Sequence, residues 1–427
     1  MAPFHALRYN PDVAGPPSET SAPPYDRFDG VRYIRHRTSN PYTVLQLMAG
    51  TVRDPTGGAA GRDDDYRTAS ATLTRWRRTG VVTEDPHPAM YVYEEHELRR
   101  GVPALQRGIV ATLDLADIDD GHLLLHEDVD ENRVAMRQSR MLQVPVDLTP
   151  VVAIHVVGIP AAGQLVDAAR RHRPVCAFTD EGQIDHRIWR IADPQALSGL
   201  AAAFAGVTAV LADGHHRVAA AQRIRAQLLR DGQPLGRWGK ITVWIVDAVD
   251  HGPELNAVHR LVHGLPHVET DGTPTIEGFR SLRWIDSIPA LERAVAALPG
   301  LAFGVVTSNG SWVLQAIDPD AIRGQLTHLA PPLRQLDVTV ATQLIVAEFA
   351  DTGSVEEVVD LGPALTRITS GTPDTLLLLR PPTAEQVHAV AAAGLRMPSK
   401  TTWFRPKPRA GLLMRALAGP AVESSNR

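Results

Sequence analysis

The run Asp213-Gly214-His215-His216-Arg217 gathers five residue types that serve chemistry, in five consecutive positions. A short apolar run, Val207 to Leu211, precedes it, and a helical pattern follows from Val218 to Leu229. A glycine between strand and helix lets the backbone turn closely. The start of the helix then offers unbonded N–H groups and the positive end of its dipole, an arrangement that attracts anions. Arg217 adds a planar fork suited to phosphate oxygens, and Asp213 is a hard oxygen ligand suited to Mg²⁺ shared with phosphates. The same five residues also read as a helix cap with two satisfied histidines.

A second candidate is His126-Glu127, which ends the leucine run Leu123 to Leu125. A carboxylate at the end of a buried element can be raised in pKa and act as a general base, while a solvated acidic turn is the alternative. A third is the run Met397 to Lys407, where Lys400, Thr401 and Thr402 are phosphate-binding types and a basic surface strand is the plainer reading. Histidine also stands beside arginine at His186-Arg187 and His259-Arg260. Adjacent histidines lack the i, i+4 spacing that puts two metal ligands on one helix face, and neither a GxxxxGK[ST] loop nor a GxSxG elbow occurs.

The elements that must position these groups alternate. Strand patterns fall at Thr43 to Met48, Met90 to Tyr93, Arg107 to Leu115, Val151 to Val157, Ile188 to Ile191, Ile241 to Val246 and Thr375 to Leu379. Helical patterns fall at Tyr66 to Thr79, Asn132 to Gln143, Ala161 to Arg171, Pro194 to Phe204, Ile288 to Leu298, Val338 to Phe349 and Ala384 to Ala393. Ala302 to Val306 with Trp312 to Ala316 reads as a hairpin, and Thr51 to Asp64 as a glycine-rich loop. The sum is an α+β (α/β) protein. Its 427 residues exceed one ordinary core. The divisions expected are an N-terminal α+β region (1–104), a core carrying the Asp213 run (105–266), a C-terminal α/β domain (267–417) and a disordered tail (418–427).

Hydrophobic residues at 44% and charged residues at 21% supply ordinary core material, and a net charge of −5 argues against a nucleic-acid-wrapping role. The single cysteine, Cys176, makes neither an internal disulfide nor a multi-cysteine zinc site. With no apolar stretch long enough to span a bilayer, the expectation is a cytoplasmic protein without a membrane partner.

Taken together the motifs resemble domain-of-unknown-function family 1015. They are Phe4 to Tyr9, Ala22 to Asp26, Asn40-Pro41-Tyr42, Tyr91-Val92-Tyr93, His126-Glu127, His186 to Trp189, Ala212 to Arg217, His259-Arg260 and Met397 to Thr402. The Asp-Gly-His-His-Arg box is also similar to that of free serine kinases built on the ParB/sulfiredoxin-like fold. That resemblance implies a ParB/sulfiredoxin-like core and phosphorylation of the hydroxyl of free L-serine, or a related hydroxy amino acid, to O-phosphoserine. It implies Mg²⁺ held by Asp213, with ATP or ADP (or pyrophosphate) as donor. Glu127, Asp213 and His215 would be catalytic. Gly214, His216, Arg217, Lys400, Thr401 and Thr402 would hold the nucleotide, and His126, His259 and Arg260 the substrate. Val218-Ala219-Ala220 stands where the family often has Tyr-Glu-Thr, and Asp360-Leu361-Gly362 also departs from its pattern, so an acceptor other than serine stays open. The other reading of the box is a non-catalytic ParB-like nucleotide-binding regulator.

Overall fold

The structure is a computed structural model that describes residues 1–24, 30–48, 62–99, 101–350 and 354–418. It is α+β, and the chain forms two compact units. The first contains Met1–Leu125, Val129–Pro253 and Pro406–Arg427; the second contains His126–Asp128 and Glu254–Arg405.

The first unit is built on an eight-stranded mixed sheet. Its strands are β1 (Met90–Arg99), β2 (Val102–Asp114), β3 (Leu123–Leu124), β4 (Val151–His155), β5 (Cys176–Thr179), β6 (Asp185–Ile191), β7 (Ala209–Asp213) and β8 (Lys240–Asp247), in spatial order β3-β7-β4-β8-β2-β1-β6-β5. The register sets Ile245 opposite Ile109 and Val243 opposite Ala111, so these residues share one face. Four helices cover that face. Val134 and Met141 of α1 (Glu131–Gln143) and Val218, Ala221 and Ile224 of α2 (His215–Arg230) pack with Val151, Ala153, Leu211, Ile241 and Val243. Ala162 and Val166 of α3 (Pro160–Arg170) and Leu200 of α4 (Pro194–Ala203) pack with Met90, Val92, Ile109 and Trp189. A separate cluster joins the N-terminal segment to the helix Arg62–Arg78 through Leu7, Leu45, Leu47, Tyr66, Leu73, Trp76 and Met414.

The second unit holds a six-stranded antiparallel sheet. Its strands are β9 (His259–His263), β10 (Phe279–Trp284), β11 (Ala302–Thr307), β12 (Gly310–Ala316), β13 (Val355–Val358) and β14 (Asp374–Leu378), in spatial order β10-β12-β11-β14-β9-β13. Leu291 and Val295 of α5 (Ile288–Ala297) and Ala364 and Ile368 of α6 (Leu361–Thr369) pack on Leu261, Val306, Val313 and Leu376.

Three sequence expectations change. Thr43 to Met48 is not a strand: Val44–Leu47 is a 3₁₀ turn whose apolar side chains are buried without a strand partner. The helix expected at Val338 to Phe349 is a continuous helical run over 337–348 whose hydrogen bonding changes along it, with a π turn at Ala341–Ile345 and a 3₁₀ turn at Val346–Glu348, before Phe349 pairs with Pro266 as strand. The helix after the Asp213 run begins at His215 rather than Val218, so both histidines and Arg217 belong to its first turn. Most of the expected Thr51 to Asp64 loop, 51–61, lies outside the described residues, as does 419–427 of the tail; Arg62 to Asp64 are helical. Among the described residues no helix is long and apolar enough to cross a membrane.

Candidate functional site

β7 ends at Asp213, with a register shift against β4 between Leu211 and Asp213. Gly214 then takes φ +110°, ψ 20°, and α2 starts at the next residue. Only glycine suits this position on two counts. The positive φ strains any L side chain, and a Cβ would lie 2.6 Å from Val151 Cγ1. Strain and overpacking each cost about 1–3 kcal/mol. Gly214→Ala is therefore expected to lower the unfolding free energy by about 2–6 kcal/mol in urea titration; a loss below about 0.5 kcal/mol would contradict the geometry.

Asp213 is ion-paired on both oxygens. Arg217 Nη2 donates to Oδ2 at 3.0 Å, and Lys407 Nζ lies 3.1 Å from Oδ1. Burial alone would raise the Asp213 carboxyl; Lys407 and then Arg217 outweigh it and bring it down to about 2. Arg217 is itself anchored, its Nη1 donating to the carbonyls of Thr149 at 2.7 Å and Pro150 at 3.2 Å. It thereby ties the start of α2 to the loop before β4. His216 Nε2 accepts the backbone N–H of Asp130, the N-cap of α1, at 3.1 Å, which places its ring proton on Nδ1. His215 is buried at the first position of α2. Asp213, Arg217, Lys407, Arg137 and Arg140 line a cavity of about 90 Å³. Small-molecule pockets ordinarily hold about 300–1,000 Å³, so this cavity matches one anionic group rather than a whole nucleotide.

The other expected residues belong to the second unit. There Thr402 Oγ1 donates to Glu127 Oε1 at 2.9 Å and accepts from His126 Nε2 at 3.0 Å. His126, Thr402 and Glu127 thus form a short hydrogen-bonded chain, with the His126 ring edge-on to Phe404. Arg260 is buried and spends its fork on carbonyls: those of Val258 and His259 from Nη1, those of Ser399 and Lys400 from Nη2. That bracing holds Lys400 at φ +51°. Thr401 Oγ1 donates to the Pro398 carbonyl, and His259 Nδ1 accepts the Leu379 N–H at 3.0 Å. Burial, then Arg260, pulls the His259 imidazole down to about 4, so it is neutral at pH 7.

Sequence reasoning missed a buried polar face on the sheet, opposite the helices. Tyr93 donates to Glu95 at 2.7 Å, and His186 bonds Tyr93 and Asp180. Arg409 reaches Asp180 at 2.9 Å and Ser21 at 3.0 Å. Beside them Glu95 Oε2, both amide atoms of Gln106 and Trp244 Nε1 are buried without a hydrogen-bond partner. The available signal was the alternation Tyr91, Tyr93, Glu95, which stacks polar groups on one side of a single strand.

Among the described residues no group of three or more His, Cys, Asp or Glu is placed to hold a metal ion. Asp213 would be the residue to hold a divalent ion, in competition with Lys407 and Arg217, which pair with its two oxygens.

Residues 1–339 match the model of the DUF1015 family, described as a protein of unknown function. The chain belongs to this family. No curated protein matches the sequence. Similar solved structures include a free serine kinase in complex with AMP, at 12% identity and TM-score 0.32, covering 69% of this chain and 86% of the other. A conserved hypothetical protein from Pyrococcus furiosus aligns at 14% identity and TM-score 0.30, over 70% of this chain and 91% of its own. SbnI with C-terminal truncation, from Staphylococcus aureus, aligns at 11% identity and TM-score 0.34, over 70% and 84%. The DUF1015 match spans the Asp213 junction and ends before the run that supplies Lys400, Thr401, Thr402 and Lys407.

Proposed function

We propose that this DUF1015 chain is a nucleotide-dependent phosphotransferase acting on the hydroxyl of a small amino acid, with free L-serine the first acceptor to test. The observation that carries the reading is the Asp213 junction. A strand end, a left-handed glycine and the first turn of a 16-residue helix bring one carboxylate, two cations and a helix N-terminus around a phosphate-sized cavity. Phosphoryl transfer needs this kind of charge placement on non-bridging oxygens, and little covalent chemistry from the protein.

In the reaction the acceptor hydroxyl oxygen forms a bond to the terminal phosphorus as the bond to the donor's bridging oxygen breaks. The electron pair leaves with the nucleotide, and the hydroxyl proton passes to a base. Lys407 and the open end of α2 would stabilise the phosphate charge. Arg217 would keep Asp213 aimed, and Asp213 would be the chain's ligand for Mg²⁺, whose chemistry is to neutralise charge on the phosphates. Glu127 is the proposed base, with Thr402 and His126 fixing its carboxylate. Glu127→Gln is expected to lower kcat by about 10²–10⁴-fold, the range of general-base catalysis, while leaving nucleotide affinity within about twofold. Equal losses in both would mark Glu127 as a structural residue.

The test is phosphorus NMR on purified protein with Mg²⁺ and L-serine, and with ATP, ADP or pyrophosphate in separate samples. A new phosphomonoester signal establishes the class and the donor together. Nucleotide binding with no phosphoserine would favour the regulator reading, and neither binding nor turnover would remove both.

A further inference from the structure

A second cavity, of about 370 Å³, lies on the helix-covered face of the first unit's sheet and is lined by residues the proposed phosphoryl chemistry does not use. It is within the ordinary range for a small-molecule site. Asp213 pairs with Val152, whereas His155 lies three residues further along the same strand, about 10 Å away at strand spacing.

Its polar atoms are mainly acceptors. His155 is 3% exposed, and its Nδ1–H is committed to the Val157 carbonyl at 2.8 Å. The residue lines the cavity, and among the described residues its ring makes only this hydrogen bond, through Nδ1. Asp247, half-buried, and Asp250, exposed, add carboxylates. His251 Nε2 already accepts from Arg107 Nη1 at 2.9 Å, and Arg107 Nε is held by the buried Glu94 at 2.6 Å. Arg170 Nε shares Glu94 Oε1 at 2.6 Å and Arg170 also pairs with Asp167, which lines the cavity, at 3.1 Å, so Glu94 and Asp167 together oppose the two arginines. Around these groups Ile109, Ile245, Ala162 and Phe204 supply apolar walls.

One feature pulls the other way. α3 begins at the cavity, and its N-cap, Ile159, makes no side-chain cap. A helix N-terminus is worth roughly half a positive charge. The carboxylates of Asp247 and Asp250 outweigh it, so the balance selects a donor-rich cation over an anion.

We infer that this cavity is a binding site for a small primary amine with an apolar body: the ammonium group donates to Asp247, Asp250 and His155, and the hydrocarbon or aromatic part packs on Ile245 and Phe204. The assignment does not rest on phosphoryl transfer at Asp213.

The experiment is isothermal titration calorimetry of the full chain with phenethylamine and with hydrocinnamate, which keeps the phenyl body and replaces the ammonium by a carboxylate. Phenethylamine is expected to bind, and hydrocinnamate to bind at least about tenfold more weakly. The isosteric pair Asp247→Asn and Asp250→Asn, combined, should weaken phenethylamine about tenfold or more, with the unfolding midpoint in urea showing that the variant is folded. Asp213→Asn should leave the amine affinity unchanged. Absence of amine binding, equal affinity for the acid, or an unaffected double variant would overturn the site. Loss of amine binding in Asp213→Asn would overturn it too, by tying the amine to the junction instead. A phosphotransferase assay failing in the same samples would bear only on the reading of Asp213.

Discussion

Asp213→Asn is expected to abolish measurable phosphoryl transfer, a fall of at least about 10³-fold in kcat, in a chain that still folds. The amide keeps the shape and one acceptor oxygen but removes the charge that Lys407 and Arg217 face at 3.1 and 3.0 Å. Losing a preorganised charge at a phosphoryl-transfer site costs about that much in rate. Folding responds separately, through the depressed carboxyl. Its pKa lies below the unfolded value of about 4, so its stabilisation is complete above that pH and is lost as pH falls from about 4 through about 2. The shift of about two units corresponds to about 2–3 kcal/mol. Acid denaturation of the wild type should therefore contain a component in that window that the Asn variant lacks. The assay is phosphoserine formation alongside urea titrations at pH 7 and pH 3. Turnover within tenfold of wild type would remove Asp213 from the chemistry.

Arg409→Leu carries the largest expected loss of stability. Arg409 is 2% exposed and joins Ser21 to Asp180, with Glu181 as a further partner at 3.0 Å. Burial would raise the Asp180 carboxyl, but the His186 hydrogen bond, the Ile184 N–H and then the Arg409 charge outweigh it and hold it far below the usual carboxylate range. Removing the guanidinium leaves Asp180 with only part of its compensation, and breaking a buried pair in this way costs about 3–5 kcal/mol. Urea titration measures it. Arg409→Lys, which keeps the charge and loses the fork, should fall between the two. A loss under about 1 kcal/mol in the leucine variant would show that Asp180 finds its partners elsewhere.

Much of the first unit could be read from periodicity, because its elements are locally consistent. Val151–His155 and Pro160–Arg170 are a continuous apolar run and a proline-initiated amphipathic helix, and each forms close to its expected bounds. The strand, turn and helix around Asp213 were legible for the same reason. Periodicity starts α2 three residues late because His215, His216 and Arg217 look like loop residues. With Gly214 serving as the cap, they become the first turn. Asp213's partner Lys407 is far along the chain, and spacing says nothing about such a pairing. Glu95 and Gln106 escaped notice for a different reason, as did the burial of His186. In an alternating strand a polar residue normally faces water, yet here that face is covered and all three are buried. The helical periodicity over 337–348 does form a helical run, but the π turn at Ala341–Ile345 inside it leaves no mark in the spacing.

The way the chain shuttles between its two units has a consequence for synthesis on the ribosome. The first unit is left incomplete at Pro253 and resumes only at Pro406, after the intervening 254–405 has been made. The late segment is no ornament. Arg415 bonds Asp147 and Thr242, Ala410 pairs with Ala22, and Met414 pairs with Leu7. At roughly 5–20 residues per second, translation of the interval takes about 8–30 s, longer than most small domains need to fold. For that time the nascent first unit waits with the binding place of its last strand open, and a chain released before residue 406 never closes it.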